Sequence, residues 1–469
     1  MNVRIWGIIL FSAIGVGIGA GRPFAPELTP EGHAALMAIL VAVGLWIFAT
    51  KWVPLCIGST VMILLLVSAG LSPSLVFNGY TTRALWILIP ALFFGFALNS
   101  TGLGKRLAYW IIGLFRPSYL SLTVSWALIG ILISVLTPSI SVRIAIVIPI
   151  AVAVLEICRL QYGSKGAALI LLSAWSMAII PGSGWLTGSL WGPAAIGFFS
   201  GTPELQGVIE FDAWWKAMLV PSAVLSFLFI LGLYRVMKPA ADLKIDREAF
   251  RAELKSLGVM SFKEKTTFTI LLATFLLLVT GRIHGVPDVA VCLGAFALLA
   301  ACGIIEARDI GTGISWDFVL FIGSIMGFGL IFQETGVASF LNHSFHPVIT
   351  ALAGNLWVLT YAMLVLFFIL RFVDVPQLFC TIPFVVPFLP MLATDFHIHP
   401  LVFVFLFIMG GNCFFLAYQQ AFVILGETVA GRAAWTPTQL LQAGIIFFFA
   451  CLATLAISLL YWKAVGMVT

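Results

Sequence analysis

Long uncharged apolar runs recur along this chain and decide what it can fold into. Six of them are 52–69, 120–136, 217–234, 266–280, 349–370 and 439–461. Because a helix needs about 20 apolar residues to cross a bilayer, such runs are long enough to be spanning helices or arms of a re-entrant hairpin. Only 9% of the residues are charged, whereas about 25% are charged in soluble proteins. The chain is therefore expected to lie in a membrane.

The sequence also contains an internal repeat. A phrase ending in Thr101-Gly102-Leu103 has a counterpart ending in Thr335-Gly336-Val337, 234 residues later. The same offset separates Pro149 from Pro383. In an apolar chain, hydrophobic segments that are interrupted by Gly or Pro at matching places in two halves are typical of secondary transporters, with the site between the halves.

These features predict an all-α polytopic membrane protein with the inverted-repeat ion-transporter fold, about eleven transmembrane helices and two re-entrant hairpins. An N-terminal anchor helix and outer loop are expected at 1–33, because no small-x-small cleavage site follows the first apolar segment. A first inverted repeat is expected at 34–236 and a second at 266–469, joined by a cytoplasmic connector at 237–265.

The basic residues predict the orientation. When both hairpins enter and leave on one side, Lys and Arg concentrate on one face, which includes the run from Lys238 to Lys265. Cytoplasmic loops are the Lys- and Arg-rich ones. We therefore expect a multi-pass inner-membrane protein with a cytoplasmic N-terminus. The net charge of +5 is spread over these loops, which argues against a nucleic-acid partner.

Helix-breaking residues mark a hairpin in each half. The first hairpin is predicted at 120–158, with its tip at Thr137-Pro138-Ser139-Ile140-Ser141. The second is predicted at 349–393, with its tip between Arg371 and Pro376. Proline removes a backbone donor, and non-helical backbone inside a membrane is tolerated only where it is buried or lines a wet cavity. Free amides at such a tip can hold an anion, and free carbonyls can coordinate a cation.

A second break follows each hairpin. In the first half it is the segment 181–189, rich in glycine and small hydroxyl residues, and in the second half it is Asn412 with Tyr418-Gln419-Gln420. Small residues also serve close helix packing in membranes, and that alternative remains open for each segment. The paired positions favour one pocket near the middle of the membrane.

Neither catalysis nor a resident cofactor is indicated. The seven cysteines lie in apolar segments without metal-ligand spacing, which favours buried packing. Asp395, His397 and His399 form a DxHxH string in a predicted outer loop, where a solvated loop is favoured over a metal site. We expect no enzyme, no metal and no cofactor, with Na⁺ or H⁺ as the coupling ion.

From Ala34 to about Val465 the order of elements resembles the divalent anion:sodium symporter family, the carriers of dicarboxylates, citrate and sulfate. FFGFALNSTGLGKRLA and GFGLIFQETGVASFL are similar to that family's helix ending in a Thr-Gly-Leu-type turn. Gly182-Ser183-Gly184 with Gly188-Ser189 matches its first Gly-rich break, and Tyr418-Gln419 matches a variant of the second. The resemblance implies transport by alternating access and a homodimer.

The family's hairpin tips carry Ser-Asn-Thr, with the Ser ten residues ahead of a Pro. Counting back from the two prolines gives Ser139-Ile140-Ser141 and Val373-Asp374-Val375. In the family these tips supply sodium ligands and hydrogen bonds to the substrate. This chain departs from both motifs, and Val373 and Val375 offer only backbone carbonyls. Sodium coupling therefore does not carry over from the resemblance, and proton coupling or exchange is an alternative.

Two charges near the tips suggest what replaces the motifs. Arg143 is predicted to be a fixed cationic contact for an anionic substrate, because guanidinium can bind a carboxylate or sulfate with two hydrogen bonds. The alternative is an ion pair between Arg143 and Asp374 that locks the hairpins together. Asp374 is either a proton carrier or an ionised partner of an arginine. Arg371 and Glu427 are interpreted as interfacial groups able to snorkel.

The predicted function is secondary active transport of small anions, divalent ones above all, such as dicarboxylates, citrate or sulfate. The alternative is a proton-driven cation or metalloid exporter on the same scaffold, with Asp374 as the ion-binding centre. Cation or proton coupling is assigned to Ser139, Gly184 and Asp374. The predicted substrate-binding residues are Ser139, Ile140, Ser141, Arg143, Gly182, Ser183, Gly184, Thr187, Val373, Asp374, Val375, Tyr418, Gln419 and Gln420.

Overall fold

The computed structural model describes residues 3–50, 52–115, 118–240, 243, 252, 255–431 and 434–468. Throughout these ranges the regular secondary structure is helical. The first half contains α1 (Val3–Gly21), α2 (Pro30–Phe48), α3 (Leu55–Ser68), α4 (Pro73–Val76), α5 (Arg83–Ser100), α6 (Leu103–Gly113), α7 (Tyr119–Leu136), α8 (Ile140–Ile157), α9 (Lys165–Met177), α10 (Trp191–Ser200) and α11 (Phe211–Met237).

The second half is also a succession of long and short helices over its described residues. It contains α12 (Phe262–Val279), α13 (Gly281–His284), α14 (Asp288–Ala301), α15 (Ala307–Thr312), α16 (Trp316–Met326), α17 (Phe328–Glu334), α18 (Val337–Ala353), α19 (Leu356–Leu370), α20 (Ile382–Val385), α21 (Leu389–Thr394), α22 (Pro400–Gly411), α23 (Ala421–Ala430) and α24 (Pro437–Ala464). Short 3₁₀ turns lie at 78–81, 180–184, 203–205, 386–388 and 417–419.

The helices have the length and composition of membrane spans. Among the described residues, nine helical stretches are long and apolar enough to cross a bilayer, and six shorter apolar helices accompany them. Large apolar side chains such as Leu64, Phe227 and Phe449 are exposed on the outer surface, which suits contact with lipid. The predicted all-α polytopic class is confirmed.

The internal repeat reappears as a matched pair of turns. α5 and α17 each run into a Thr-Gly turn, at Gly102 and Gly336, and each turn is followed directly by another helix, α6 or α18. Gly102 has φ +82° and Gly336 has φ +76°. Only glycine adopts this left-handed conformation without a steric penalty. The repeated phrase in the sequence is thus a repeated backbone turn, and each turn leads towards a hairpin.

Helices of the two halves pack directly against each other. α5 of the first half packs against α14 of the second, α16 packs against α3, and the two long helices α11 and α24 pack against each other. Some of these contacts are very close, because a Cβ at Gly79 would collide with the backbone of Gly323 and Gly327. Glycine therefore allows helix backbones to approach, as is usual between membrane helices.

The first hairpin is formed by α7 and α8. α7 ends at Leu136, three residues follow without helix, and α8 begins at Ile140. Ser139 caps α8, because its hydroxyl accepts a hydrogen bond from the amide of Val142 at 3.4 Å. The amide of Ser139 in turn donates to Oγ1 of Thr137 at 3.1 Å. The break predicted from Thr137-Pro138 thus ends in the N-terminus of an 18-residue helix.

The second hairpin begins later than the sequence predicts. The apolar run 349–370 is divided, because α18 continues to Ala353 and the side chain of Asn355 caps α19 through the amides of Trp357 and Val358. The first arm is therefore α19 alone, starting at Leu356 rather than at 349. The return arm is also irregular: turns extend from 375 to 381, and short helices with prolines cover 382–394.

The connector between the halves is described only in part. α11 ends at Met237 and α12 begins at Phe262. The sequence of the connector favours a helix at 246–257, but most of that stretch lies outside the described residues. At its end, Arg106 of α6 donates to both carboxylate oxygens of Glu264, at 2.7 and 3.2 Å. Arg106 also donates to the carbonyls of Leu257 and Gly258. The end of the connector is thereby fixed to α6.

Candidate functional site

A cavity of about 640 Å³ lies where the two hairpin tips meet. Ser139, Ile140 and Ser141 line one part of it, and Val375, Pro376 and Gln377 line another. Gln420, from the second break of the second half, also lines it. Residues from the start of α3 and from the loop between α15 and α16 complete the wall. The structure therefore brings one predicted element from each half to the same cavity.

The first hairpin presents the start of α8 to this cavity. The first amides of a helix carry partial positive charge and lack intrahelical partners, which makes this position suitable for an anion. Ser139 is nearly buried, whereas Ser141 is exposed to the cavity. The hydroxyl of Ser139 faces the amide of Val142. This tip thus offers a hydroxyl and helix amides to a ligand.

Arg143 lies directly after the residues that line the cavity. Its side chain has 0% exposure, and none of its three guanidinium nitrogens has a hydrogen-bond partner among the described residues. A Cβ at Gly182 would lie 2.5 Å from Nη1 and 2.9 Å from Nη2, so glycine at this position leaves room for the guanidinium. A buried charge without a partner costs several kcal/mol. Arg143 thus holds a buried charge against Gly182, and it is not among the residues that line the cavity.

The alternative ion pair between Arg143 and Asp374 is not formed. Oδ2 of Asp374 instead accepts hydrogen bonds from the amide and the hydroxyl of Thr381, both at 2.8 Å. Oδ1 is buried without a partner among the described residues. Asp374 is only 3% exposed and does not line the cavity. Its carboxylate holds together the turns of the second tip.

Arg371 was interpreted from the sequence as an interfacial residue, and this is wrong. Its side chain has 0% exposure. Nη1 donates to the carbonyls of Asp374 at 2.5 Å and Val375 at 2.9 Å, and Nη2 donates to the carbonyl of Gln419. One guanidinium thus joins the second tip to the second break. The sequence signal for this role was an arginine directly after the apolar run 349–370, where the helix is interrupted.

The other predicted residues of the second tip differ in orientation. Val375 lines the cavity, but the side chain of Val373 is 46% exposed on the outside of the protein. The amides of Val373 and Asp374 both bond to the carbonyl of Leu370, so the backbone continues α19 for one more turn. This turn directs Val373 away from the cavity, which corrects its assignment to the site.

The second break of the second half contributes one side chain to the cavity. Oε1 of Gln419 accepts from the amides of Phe415 and Leu416 at 2.7 and 2.8 Å, which is a structural role. Tyr418 is 44% exposed, and its hydroxyl donates to the carbonyl of Phe372 at 3.3 Å. Gln420 alone of these three lines the cavity. The assignment of Tyr418 to the cavity is therefore corrected.

The Gly-rich break of the first half lies away from the main cavity. Ser183 is hydrogen-bonded to Ser222 at 2.9 Å and to the carbonyl of Ile180 at 2.8 Å. Gly184 borders an apolar groove of about 280 Å³, and Thr187 borders a different cavity of similar size. Within this segment, Gly182 lies against the guanidinium of Arg143.

Asp374→Asn is expected to preserve the fold, with a loss of about 1–2 kcal/mol in the free energy of unfolding. The new amide oxygen can still accept both hydrogen bonds from Thr381, whereas Asp374→Leu loses both and should be clearly less stable. Thermal unfolding of the purified variants measures this difference. A proton-carrying Asp374 predicts the opposite pattern, in which Asn is as stable as the parent but transport loses its pH dependence.

The fold and the cavity define a class: a polytopic α-helical membrane protein of two repeated halves, with broken hairpins that meet at an internal cavity. The chain belongs to the sodium:sulfate symporter family, whose transmembrane region matches residues 2–468. This confirms the family predicted from the hairpins and the repeated Thr-Gly turns. Membership also supports a transporter rather than an enzyme.

Several relatives share this sequence pattern. A chloroplastic dicarboxylate transporter 1 from Spinacia oleracea is 25% identical over 72% of this chain and 61% of its own length. The inner membrane protein YbhI of Escherichia coli is 26% identical over 71% of this chain and 72% of its own. A putative malate transporter of Bacillus subtilis, YflS, is 23% identical over 70% of this chain and 69% of its own length. The chain thus spans about three fifths of the spinach relative.

A solved structure supports the same fold. The YdaH transporter of Alcanivorax borkumensis, described as having an unusual topology, matches with a TM-score of 0.58. The alignment covers 100% of this chain and 99% of that one at 14% identity. At this identity the similarity concerns the fold alone.

Proposed function

We propose that this protein carries small dianions, dicarboxylates above all, across the inner membrane by alternating access. Arg143 is the single observation that carries this proposal, because it is a buried cation without a partner among the described residues and directly follows the cavity-lining Val142. A charge inside a membrane protein usually has a partner, a wet cavity or a ligand. Relatives that are named dicarboxylate and malate transporters support the same class of solute.

The first hairpin is the proposed anion contact. The start of α8, Ser139 and Ser141 offer hydrogen-bond donors at the cavity, and Arg143 adds a positive charge one turn further on. A planar guanidinium can bind a carboxylate or sulfate bidentately. The substrate carboxylate would draw Arg143 from its present position against Gly182, and the hairpin-bearing parts would then shift relative to the other helices.

The cavity is proposed to open to the cytoplasm. Its wall includes Thr312 and Ser315, which are exposed, and Thr312 ends α15, the short helix that also carries Arg308. Lys- and Arg-rich loops face the cytoplasm, and the same rule supports the proposal of a cytoplasmic N-terminus. The structure would then represent an inward-facing carrier, with the repeats 34–236 and 266–469 inserted in opposite orientations and two copies forming a homodimer.

Transport is further proposed not to need sodium at the second tip. Val373 and Val375 offer a sodium ion there only their backbone carbonyls, and Oδ2 of Asp374 already accepts two hydrogen bonds from Thr381. The carbonyls of Asp374, Val375 and Gln419 already accept hydrogen bonds from Arg371. The guanidinium therefore supplies a positive charge where a coupling ion would otherwise bind. Exchange of anions or proton symport would replace sodium symport.

Reconstituted liposomes test this proposal. Purified protein would be supplied with labelled succinate, citrate or sulfate while sodium and proton gradients are imposed separately, with or without internal anion. We expect succinate uptake without sodium, enhanced by internal anion or by a proton gradient. Strictly sodium-dependent uptake would refute the coupling proposal. Cation or metalloid movement without any anion flux would instead favour an exporter.

A further inference from the structure

Three carboxamide side chains meet beside the cavity. Nε2 of Gln377 lies 3.4 Å from Oδ1 of Asn412 and 3.4 Å from Oε1 of Gln420. Gln377, Asn412 and Gln420 are 9%, 6% and 1% exposed. Gln377 and Gln420 belong to the second half and line the same cavity as the first hairpin tip, which belongs to the first half. These three residues are called the amide cluster below.

The amide cluster has unused hydrogen-bond donors. Nε2 of Gln420 is buried without a partner among the described residues, and the two contacts of Gln377 are long for hydrogen bonds. Gln377 also adopts φ +54°, a conformation that is uncommon for residues other than glycine and is concentrated at functional sites. A buried amide donor without a partner is costly unless a ligand completes it.

We propose that the amide cluster binds the second, distal carboxylate of a dicarboxylate whose first carboxylate is held by Arg143 and the start of α8. This inference rests on the proposed function and adds the residues that select the substrate. Amide N–H groups donate to a carboxylate without adding charge. An apolar end would leave Nε2 of Gln420 unpaired, so a monocarboxylate of the same length is rejected.

Binding to the purified full-length protein tests the amide cluster. Succinate, butyrate and succinamate, which is the monoamide of succinate, would compete against labelled succinate. The parent protein should prefer succinate over butyrate by about 100-fold or more. Gln420→Met and Gln377→Met should each weaken succinate about 10- to 100-fold while leaving butyrate unchanged. Gln442→Met, at an exposed position of α24, is the matched control.

Adding a negative charge to the amide cluster gives an independent readout. Gln420→Glu places a carboxylate in the amide cluster, which repels the distal carboxylate of succinate but accepts hydrogen bonds from the amide of succinamate. This variant should therefore prefer succinamate over succinate, which a merely misfolded protein would not do. Unchanged succinate affinity in all three variants would overturn the inference while leaving the proposed function intact. A parent protein that binds none of the three compounds would overturn both.

Discussion

Arg143→Ala is expected to weaken dicarboxylate binding by about 100-fold or more and, at the same time, to stabilise the empty protein. The two effects have opposite signs because the guanidinium has no hydrogen-bond partner in the part of the chain that the structure describes. Removing it takes away a buried charge that costs several kcal/mol, but it also takes away the group proposed to pair with the substrate. Thermal unfolding with and without succinate measures both effects together.

Arg143→Lys provides the matched control for charge. It retains a cation but lacks the fork that binds a carboxylate with two parallel hydrogen bonds, so affinity should be restored only in part. Because Arg143 and Asp374 do not pair, the effects of Arg143→Ala and Asp374→Asn on stability should add within about 0.5 kcal/mol. Normal succinate binding by Arg143→Ala would assign Arg143 to the scaffold.

Arg371→Ala is expected to destabilise the protein by roughly 3–5 kcal/mol. The change removes the guanidinium donor from the carbonyls of Asp374, Val375 and Gln419. Val375 keeps the amide of Gln377 as a donor, and each carbonyl left unsatisfied costs about 1–3 kcal/mol. Arg371→Lys retains the positive charge with fewer fixed donors. Its free energy of unfolding should lie between those of the parent protein and Arg371→Ala. Thermal unfolding of the purified variants gives the measurement.

Sodium offers a second readout on Arg371. In Arg371→Ala the freed carbonyls surround the volume that the guanidinium occupied, so sodium chloride should raise the melting temperature of this variant more than choline chloride does. The parent protein should show no difference between the two salts. Arg282→Ala is the control, because Arg282 is 72% exposed in its ion pairs and contributes little. A stable Arg371→Ala protein would contradict the proposed structural role.

Much of the architecture could be predicted from residue types alone. Uncharged apolar runs identify helices in a membrane because bilayer thickness fixes their length. Thr137-Pro138 marks a break because proline cannot continue the helix, and the repeated Thr-Gly phrase corresponds to two left-handed glycine turns. Ser139, Ile140 and Ser141 reach the cavity because they begin α8 at that break.

Side-chain direction at the second tip could not be predicted in the same way. Val373 and Val375 were assigned together, but the extra turn after α19 directs one outward and the other to the cavity. Asn355 divides an apolar run by a local cap that composition does not reveal. The amide of Gln377 joins the site through contacts with residues far away in the sequence, which depend on tertiary packing.

The contacts of Arg371 have a consequence for how the second hairpin responds to its surroundings. A dissolved ion leaves its ligands when it is diluted or displaced by a competitor, so any geometry that it maintains varies with the medium. A guanidinium that is covalently part of the chain has full occupancy at every salt concentration. The junction between the second tip and the second break is therefore held together in dilute and concentrated solutions alike.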